Sequence, residues 1–413
     1  MIDLDKWREI FNSLGRHKLR TFLTAFSVWW GIFMLVILLG AGKGLENSAF
    51  EDFGDDAKSI IRLWAGRTSQ EYKGLPAGRS LRFTNDEYDI LTEVEGVNET
   101  AKRYFLWGQY FIKYKNKSLS FEVQCVNPSY LKFENPQLLE GRLLNKKDMI
   151  EKRKVCVIGI KVQEGFFENG KNPIGKYLNI KGTDYQIVGV FTDTGWEGKK
   201  RRIYLPITTT QLVEGTERIH QLTVEMGDDV TLAESQIIED RVRSSLANKL
   251  KFHPDDRQAL YVNNQIENFN RFRSTMNMIS AFIWFVGIGS IIAGVIGVSN
   301  IMLIVVKERT KEIGVRKALG ATPYSIVSMI VQEAIFLTSL AGYLGLLCGM
   351  SLIIAIQTIM EENDIDAPYF KNPEVDMQMV LIALVILIIS GGIAGLIPAL
   401  QAVKVNPVEA MKS

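Results

Sequence analysis

A chain of 413 residues that is 47% hydrophobic and 23% charged has the bulk balance of a globular protein and room for more than one folded unit. Its formal net charge of +2 gives no support to nucleic-acid binding. The cysteines (Cys125, Cys156, Cys348) form no CxxC, and the scattered histidines (His17, His220, His253) stand at no metal-ligand spacing. The averages hide two populations. Residues 21–42, 274–306, 318–360 (broken only by Glu333) and 377–403 carry no charge, and each supplies the ~20 apolar residues that a spanning helix needs.

Residues 1–20 place Leu4, Trp7, Ile10, Phe11 and Leu14 at helical spacing among Lys6, Arg8, Arg16, Lys18 and Arg20, which predicts an amphipathic interfacial helix on the cytoplasmic side. The first span, residues 21–42, follows. A cleaved signal peptide is the competing reading, but the apolar run is too long and Gly40-Ala41-Gly42-Lys43-Gly44 is a poor cleavage site. Residues 43–273 are charged and mixed, large enough for one or two extracytoplasmic lobes with real cores.

Within that stretch, Thr84 and Glu87 make a capping box for a helix through about Glu95 that Gly96 ends. Alternating patterns predict strands at 59–64, 103–107, 110–114, 120–126, 154–158, 177–180, 185–191, 202–205, 221–225 and 259–262. A helix over 230–250 carries Val230, Ala233, Ile237, Val242 and Leu246 as an approximate stripe. The order βαβ…βαβ, interrupted by a strand-rich block at roughly 100–200, predicts two α+β lobes, the second inserted into the first. Cys125 and Cys156 fall in strands; a disulfide is one reading, and buried free thiols are the more usual one. Acid pairs such as Asp55-Asp56 and Asp255-Asp256 read as solvated loop or cap residues.

From Asn264 a helix runs into the second span, residues 274–306. Gly287 and Gly294 lie in this span, Gly345 and Gly349 in the third (322–360), and Gly391 and Gly395 in the fourth (377–402). Such small residues let helices approach closely, and the spacing leaves open whether the partner belongs to the same chain or a second copy. The 361–376 loop is acidic and fits the outer side, whereas residues 403–413 form a cytoplasmic tail. Glu333 is the one acid near a span; its position predicts an interfacial carboxylate paired with a basic residue.

Residues 307–321, KERTKEIGVRKALGA, lie between the second and third spans. A basic segment there belongs on the cytoplasmic side. Good helix formers followed by Leu319-Gly320-Ala321-Thr322-Pro323 predict a short helix ended by glycine and restarted at proline. The bland reading is a topology signal alone. The wording of the segment resembles the coupling helix of the permeases that include cell-division FtsX, lipoprotein-releasing permeases and the MacB macrolide exporter, R-x-x-E-I-G-x-R-[KR]-A-x-G-A. Here Arg309, Glu312, Ile313, Gly314, Arg316, Lys317, Ala318, Gly320 and Ala321 match it, with Lys307 and Glu308 leading in. The outer stretch resembles the MacB-type core domain at Val155-Cys156-Val157-Ile158-Gly159, Asn172-Pro173-Ile174-Gly175-Lys176 and Ile187-Val188-Gly189-Val190. The tail resembles the family's ending at Pro407, Ala410, Met411 and Lys412.

The resemblance implies a membrane protein of four transmembrane helices with a large α+β extracytoplasmic domain of two lobes between helices 1 and 2. It further implies a bacterial inner-membrane ABC-transporter permease, working as a homodimer or close heterodimer, with both termini cytoplasmic. No phosphate loop occurs in the sequence, although MacB carries its ATPase domain on the same chain. That departure implies a separate ATPase subunit in two copies, which would hold the ATP and magnesium, while this chain binds no cofactor and has no catalytic residue. Export of a drug, peptide or lipid-linked molecule, with a periplasmic adaptor and an outer-membrane channel as further partners, is the first reading. The alternatives are an FtsX-like regulator that switches a cell-wall hydrolase, and a lipoprotein-releasing permease.

Overall fold

The computed structural model describes residues 18–53, 59–107, 110–167, 172–193, 197–227, 229–362, 373–374 and 377–405. Residues 1–17 of the expected interfacial helix over 1–20, the Asp55-Asp56 pair, most of the 361–376 loop and most of the 403–413 tail lie outside them. The chain divides into two units, residues 51–273 and residues 1–50 with 274–413.

The first unit is α+β, as its alternating patterns predict. Strand β1 (Ile60–Ala65), helix α2 (Asn85–Thr92) and β2 (Glu99–Phe105) open it; β11 (Gln221–Glu225), helix α7 (Leu232–Leu250) and β12 (Leu260–Asn264) close it. These four strands lie in the order β12-β1-β11-β2 and all pair antiparallel, the split βαβ arrangement in which each helix carries the chain over an intervening strand. Thr84 and Glu87 form the capping box predicted for α2. On α7 the buried stripe is Ser235, Ile238, Val242 and Leu246, so Val242 and Leu246 lie inside as the sequence reading has them, while Ala233 and Ile237 face out.

The block between β2 and β11 supplies β3 (Ile112–Tyr114), β4 (Lys117–Leu119), β5 (Glu122–Val126), β6 (Gln137–Gly141), β7 (Val155–Gly159), β8 (Tyr177–Ile180), β9 (Thr183–Thr192) and β10 (Arg202–Pro206). Its strands continue the same sheet through β2–β5 and the parallel pair β5–β10. Helices α3 (Pro128–Glu134), α4 (Lys146–Ile150), α5 (Ile160–Phe166) and α6 (Ile207–Glu214) connect them. Strands β8 and β9 turn through Lys181 (φ 50°) and Gly182 (φ 86°), two left-handed residues that suit the twist of a tight hairpin. Cys125 and Cys156 are free, buried thiols, so the bridge is not made; burial pushes Cys125 up to about 12.

The acid pair Asp255-Asp256 divides. Asp255 is exposed, but Asp256 is 1% exposed and is a hub of the loop after β1, which corrects its reading as solvated. Its carboxylate accepts from the Ser69 amide (2.6 Å), the Ser69 hydroxyl (2.8 Å) and the amides of Gln70, Gln258 and Ala259. Burial alone would raise its pKa; the hydrogen bonds from Ser69, Ala259 and Gln70 outweigh burial and hold it below the usual carboxylate range.

Among the described residues, the second unit holds four helices long and apolar enough to cross a membrane, at Ala25–Ser48, Gln265–Glu308, Pro323–Glu362 and Val385–Val403. They belong to α1 (Lys18–Phe53), α8 (Gln265–Glu308), α10 (Pro323–Glu362) and α11 (Met377–Val403), with the short α9 (Thr310–Ala318) between α8 and α10. Helix α8 is one unbroken helix of 44 residues whose first turns fall in the α+β unit.

Replacing Asp256 with alanine strands the donors of Ser69, Gln70, Gln258 and Ala259, and it should destabilise the α+β unit by roughly 2–4 kcal/mol in thermal or denaturant unfolding of the full chain. The folded pKa of Asp256 is depressed, so its contribution is present above the unfolded value of about 3.9 and is lost as pH falls through the folded value. The difference in stability between wild type and Asp256→Ala should therefore shrink with acidification below about pH 4.

Candidate coupling site

Helix α9 is the basic segment between the second and third spans, and its ends follow from its sequence. Residues 307 and 308 complete α8, Arg309 acts as N-cap, and the helix runs from Thr310 to Ala318. It ends on Gly320 at φ +96°, with the Gly320 amide donating to the Lys317 carbonyl and the Ala321 amide to that of Arg316. That pair of bonds is the Schellman closure, and its left-handed residue explains the glycine of the G-A phrase. Pro323 then starts α10.

One face of α9 is fastened to the spans. Ile313 is 2% exposed and joins Met302, Val306, Ile326, Ile330, Ala399 and Ala402 in one apolar cluster, and Gly314 is buried beside it. Lys317 donates from Nζ to the carbonyls of Val403 (2.6 Å) and Val405 (2.8 Å), where α11 ends. A cation at a helix C-terminus satisfies carbonyls that have no intrahelical partner and meets the negative end of the dipole. Arg309 reaches back to Glu333 on α10, Nη1 to Oε2 at 3.3 Å, with Glu333 3% exposed. Glu333 thus has the basic partner that its position predicts. Arg316, half-buried, lies against the Met329 sulfur at 2.7 Å. A cleft of about 500 Å³ lined by Arg309, Ile313, Arg316, Tyr324, Met329 and Glu333 opens between α9 and the first turns of α10.

The opposite face is exposed among the described residues. Lys307, Glu308, Lys311, Glu312, Val315, Ala318, Leu319 and Gly320 are exposed, with Leu319 at 83% and Tyr324 just beyond at 82%. Exposed Val315, Leu319 and Tyr324 make an apolar tip that composition alone does not single out. The segment thus divides: Arg309, Ile313, Gly314 and Lys317 hold the helix in place, while Lys311, Glu312, Val315 and Leu319 are presented outward, and of these four only Glu312 is a motif position.

The span glycines sit where helices of this chain touch. A Cβ on Gly345 would stand 2.5 Å from the Trp29 carbonyl oxygen of α1, and one on Gly349 would be 2.9 Å from Val36. Gly287 faces Leu35 and Gly294 faces Val28, joining α8 to α1. Gly391 faces Thr338 and Gly395 faces Ala334, joining α11 to α10.

Removing the Arg309 side chain leaves a buried carboxylate without this cation. Arg309→Leu should cost roughly 3–5 kcal/mol, while Arg309→Leu combined with Glu333→Leu should restore most of the loss. Thermal unfolding of the four variants in a double-mutant cycle checks the pairing.

Two families match the chain: the MacB-like periplasmic core domain over residues 21–239 and the FtsX-like permease C-terminal over residues 284–407. The "Macrolide export ATP-binding/permease protein MacB" of Bdellovibrio bacteriovorus is 26% identical over 97% of this chain and 60% of its own length. The "Pyoverdine export ATP-binding/permease protein PvdT" of Pseudomonas entomophila is 27% identical over 96% of this chain and 58% of its own length. The chain thus spans about three-fifths of the length of these relatives. Among solved structures, the periplasmic region of MacB from Actinobacillus actinomycetemcomitans is 18% identical, covering 54% of this chain and 97% of that one at a TM-score of 0.44. The family matches cover most of the α+β unit and of the spans, together with α9, leaving residues 240–283 between them, and the chain belongs to the MacB-like and FtsX-like permeases.

Proposed function

We propose that this chain is the membrane subunit of an ABC exporter that converts ATP hydrolysis on a separate ATPase subunit into movement of its α+β domain. The observation that carries the reading is the division of α9 into a fastened face and a presented face. A partner that grips Lys311, Glu312, Val315 and Leu319 pulls on a helix tied by Ile313, Lys317 and Arg309 to α8, α10 and α11. Helix α8, 44 residues long and so about 66 Å, carries that displacement beyond the bilayer without a hinge residue such as proline. Residues 307–317 hold a basic excess, which supports a cytoplasmic position for α9 and hence an extracytoplasmic one for the α+β unit.

Two copies of the permease with two of the ATPase complete the assembly, and ATP and magnesium belong to the ATPase. The two relatives carry "export ATP-binding/permease" in their names, which supports export over a purely regulatory role. Coupling by way of the α+β domain also agrees with spans whose described charges cluster near their ends, as Glu333 does.

Leu319→Glu with Val315→Glu places charge on the presented face and leaves the fastened face intact. The double variant should fold and insert as wild type but lose ATPase stimulation by a factor of about 5–150, the range of typical coupling energies. ATPase activity of the reconstituted complex measures it, and unchanged stimulation would count against the docking role. Reversing Glu312 and Lys311 together should weaken the same readout, and its effect should grow at low ionic strength.

A further inference from the structure

The membrane unit contains a second cavity, of about 370 Å³, between α1, α10 and α11, away from α9. Its floor is formed by Ile32, Leu346, Ala383 and Leu387, all 7% exposed or less. Its rim is formed by Leu340 (47%), Tyr343 (53%) and Ile388 (43%), so it opens sideways onto the outer surface of the spans. Among the described lining residues, the only side-chain polar atoms are the hydroxyls of Ser339 and Tyr343. Ser339 and Leu346 each stand 16 residues from an end of the 40-residue α10, about 24 Å of helix on either side. The opening therefore lies at hydrocarbon depth, where lipid tails are the solvent.

We propose that this groove binds one hydrocarbon chain of a membrane phospholipid. Water is a poor occupant, because an ordered water needs two to four polar partners and apolar cavities stay dry or take hydrocarbon. A flexible chain fits, and the groove is continuous with the lipid-facing surface that Leu344, Leu347 and Ile389 extend. The bound chain wedges between α1 and the α10–α11 pair and fills contacts that the helices leave unmade. It acts as a structural lipid, independently of how α9 is used.

The test reconstitutes the full chain in vesicles of phosphatidylethanolamine and phosphatidylglycerol, extracts it into detergent, and counts retained phospholipid by native mass spectrometry. Wild type should keep one phospholipid per chain. Ala383→Phe, which fills the floor, should keep roughly tenfold less, the change expected for losing the contacts of about two buried methylenes. Equal retention in both overturns the proposal. Should the variant fail to fold, wild type in vesicles doped with a phospholipid bearing a photoreactive acyl chain decides the matter. Labelling concentrated on the α10 and α11 peptides around Tyr343 and Ile388 supports it, whereas labelling spread evenly over the exposed span residues, or replacement of the phospholipid by detergent alone, refutes it.

Discussion

Everything that α9 does depends on how firmly it is held, and Lys317 is central to that. Its ammonium takes the carbonyls of Val403 and Val405, which the end of α11 would otherwise leave to solvent. With Ile313 in the apolar cluster and Arg309 on Glu333, the short helix is attached to three spans through three chemically different contacts. A helix of nine residues has little stability of its own, so tertiary contacts of this kind set its position. A free amphipathic handle would absorb a push by tilting; a fastened one passes it on.

The spans are joined by close contacts of glycine. Gly345 against the Trp29 carbonyl and Gly395 against Ala334 bring backbones together at distances that any side chain would prevent. Lipid offers no hydrophobic drive for helices to associate, so such packing must supply it. The spacing of small residues shows that close approach is intended, but only the three-dimensional arrangement tells that α1 meets α8 and α10, and that α10 meets α11. Between Ile32, Leu346 and Leu387, beside the close contact of Gly342 with Leu387, a groove remains.

The sequence made the spans, the α2 capping box and the glycine stop of α9 legible because each rests on local chemistry: uncharged length, a Thr-x-x-Glu phrase, a residue free to take positive φ. It also located Glu333 as an interfacial acid in need of a cation. It did not separate the fastened from the presented side of α9, since Arg316 and Glu312 look alike in a charged helix and only packing puts Arg316 against Met329. Asp256 looked like its exposed neighbour Asp255 because, of the four amides that claim it, those of Ser69 and Gln70 come from far away in the chain. The edge strand β6 and the short helices α3 to α6 were missed for a similar reason. Segments of five to eight residues carry too little periodicity, and their partners across the sheet decide them.

The claim that a nucleotide-hydrolysing subunit grips the outward side of α9 is tested most directly by placing a photo-crosslinking amino acid at Lys311 in the native cell and identifying what it captures. The account predicts a crosslink to an ATP-binding protein, lost when the crosslinker is moved to the buried position of Ile313. Capture of lipid alone, or of no nucleotide-binding protein, would contradict it and return the basic segment to a topology signal.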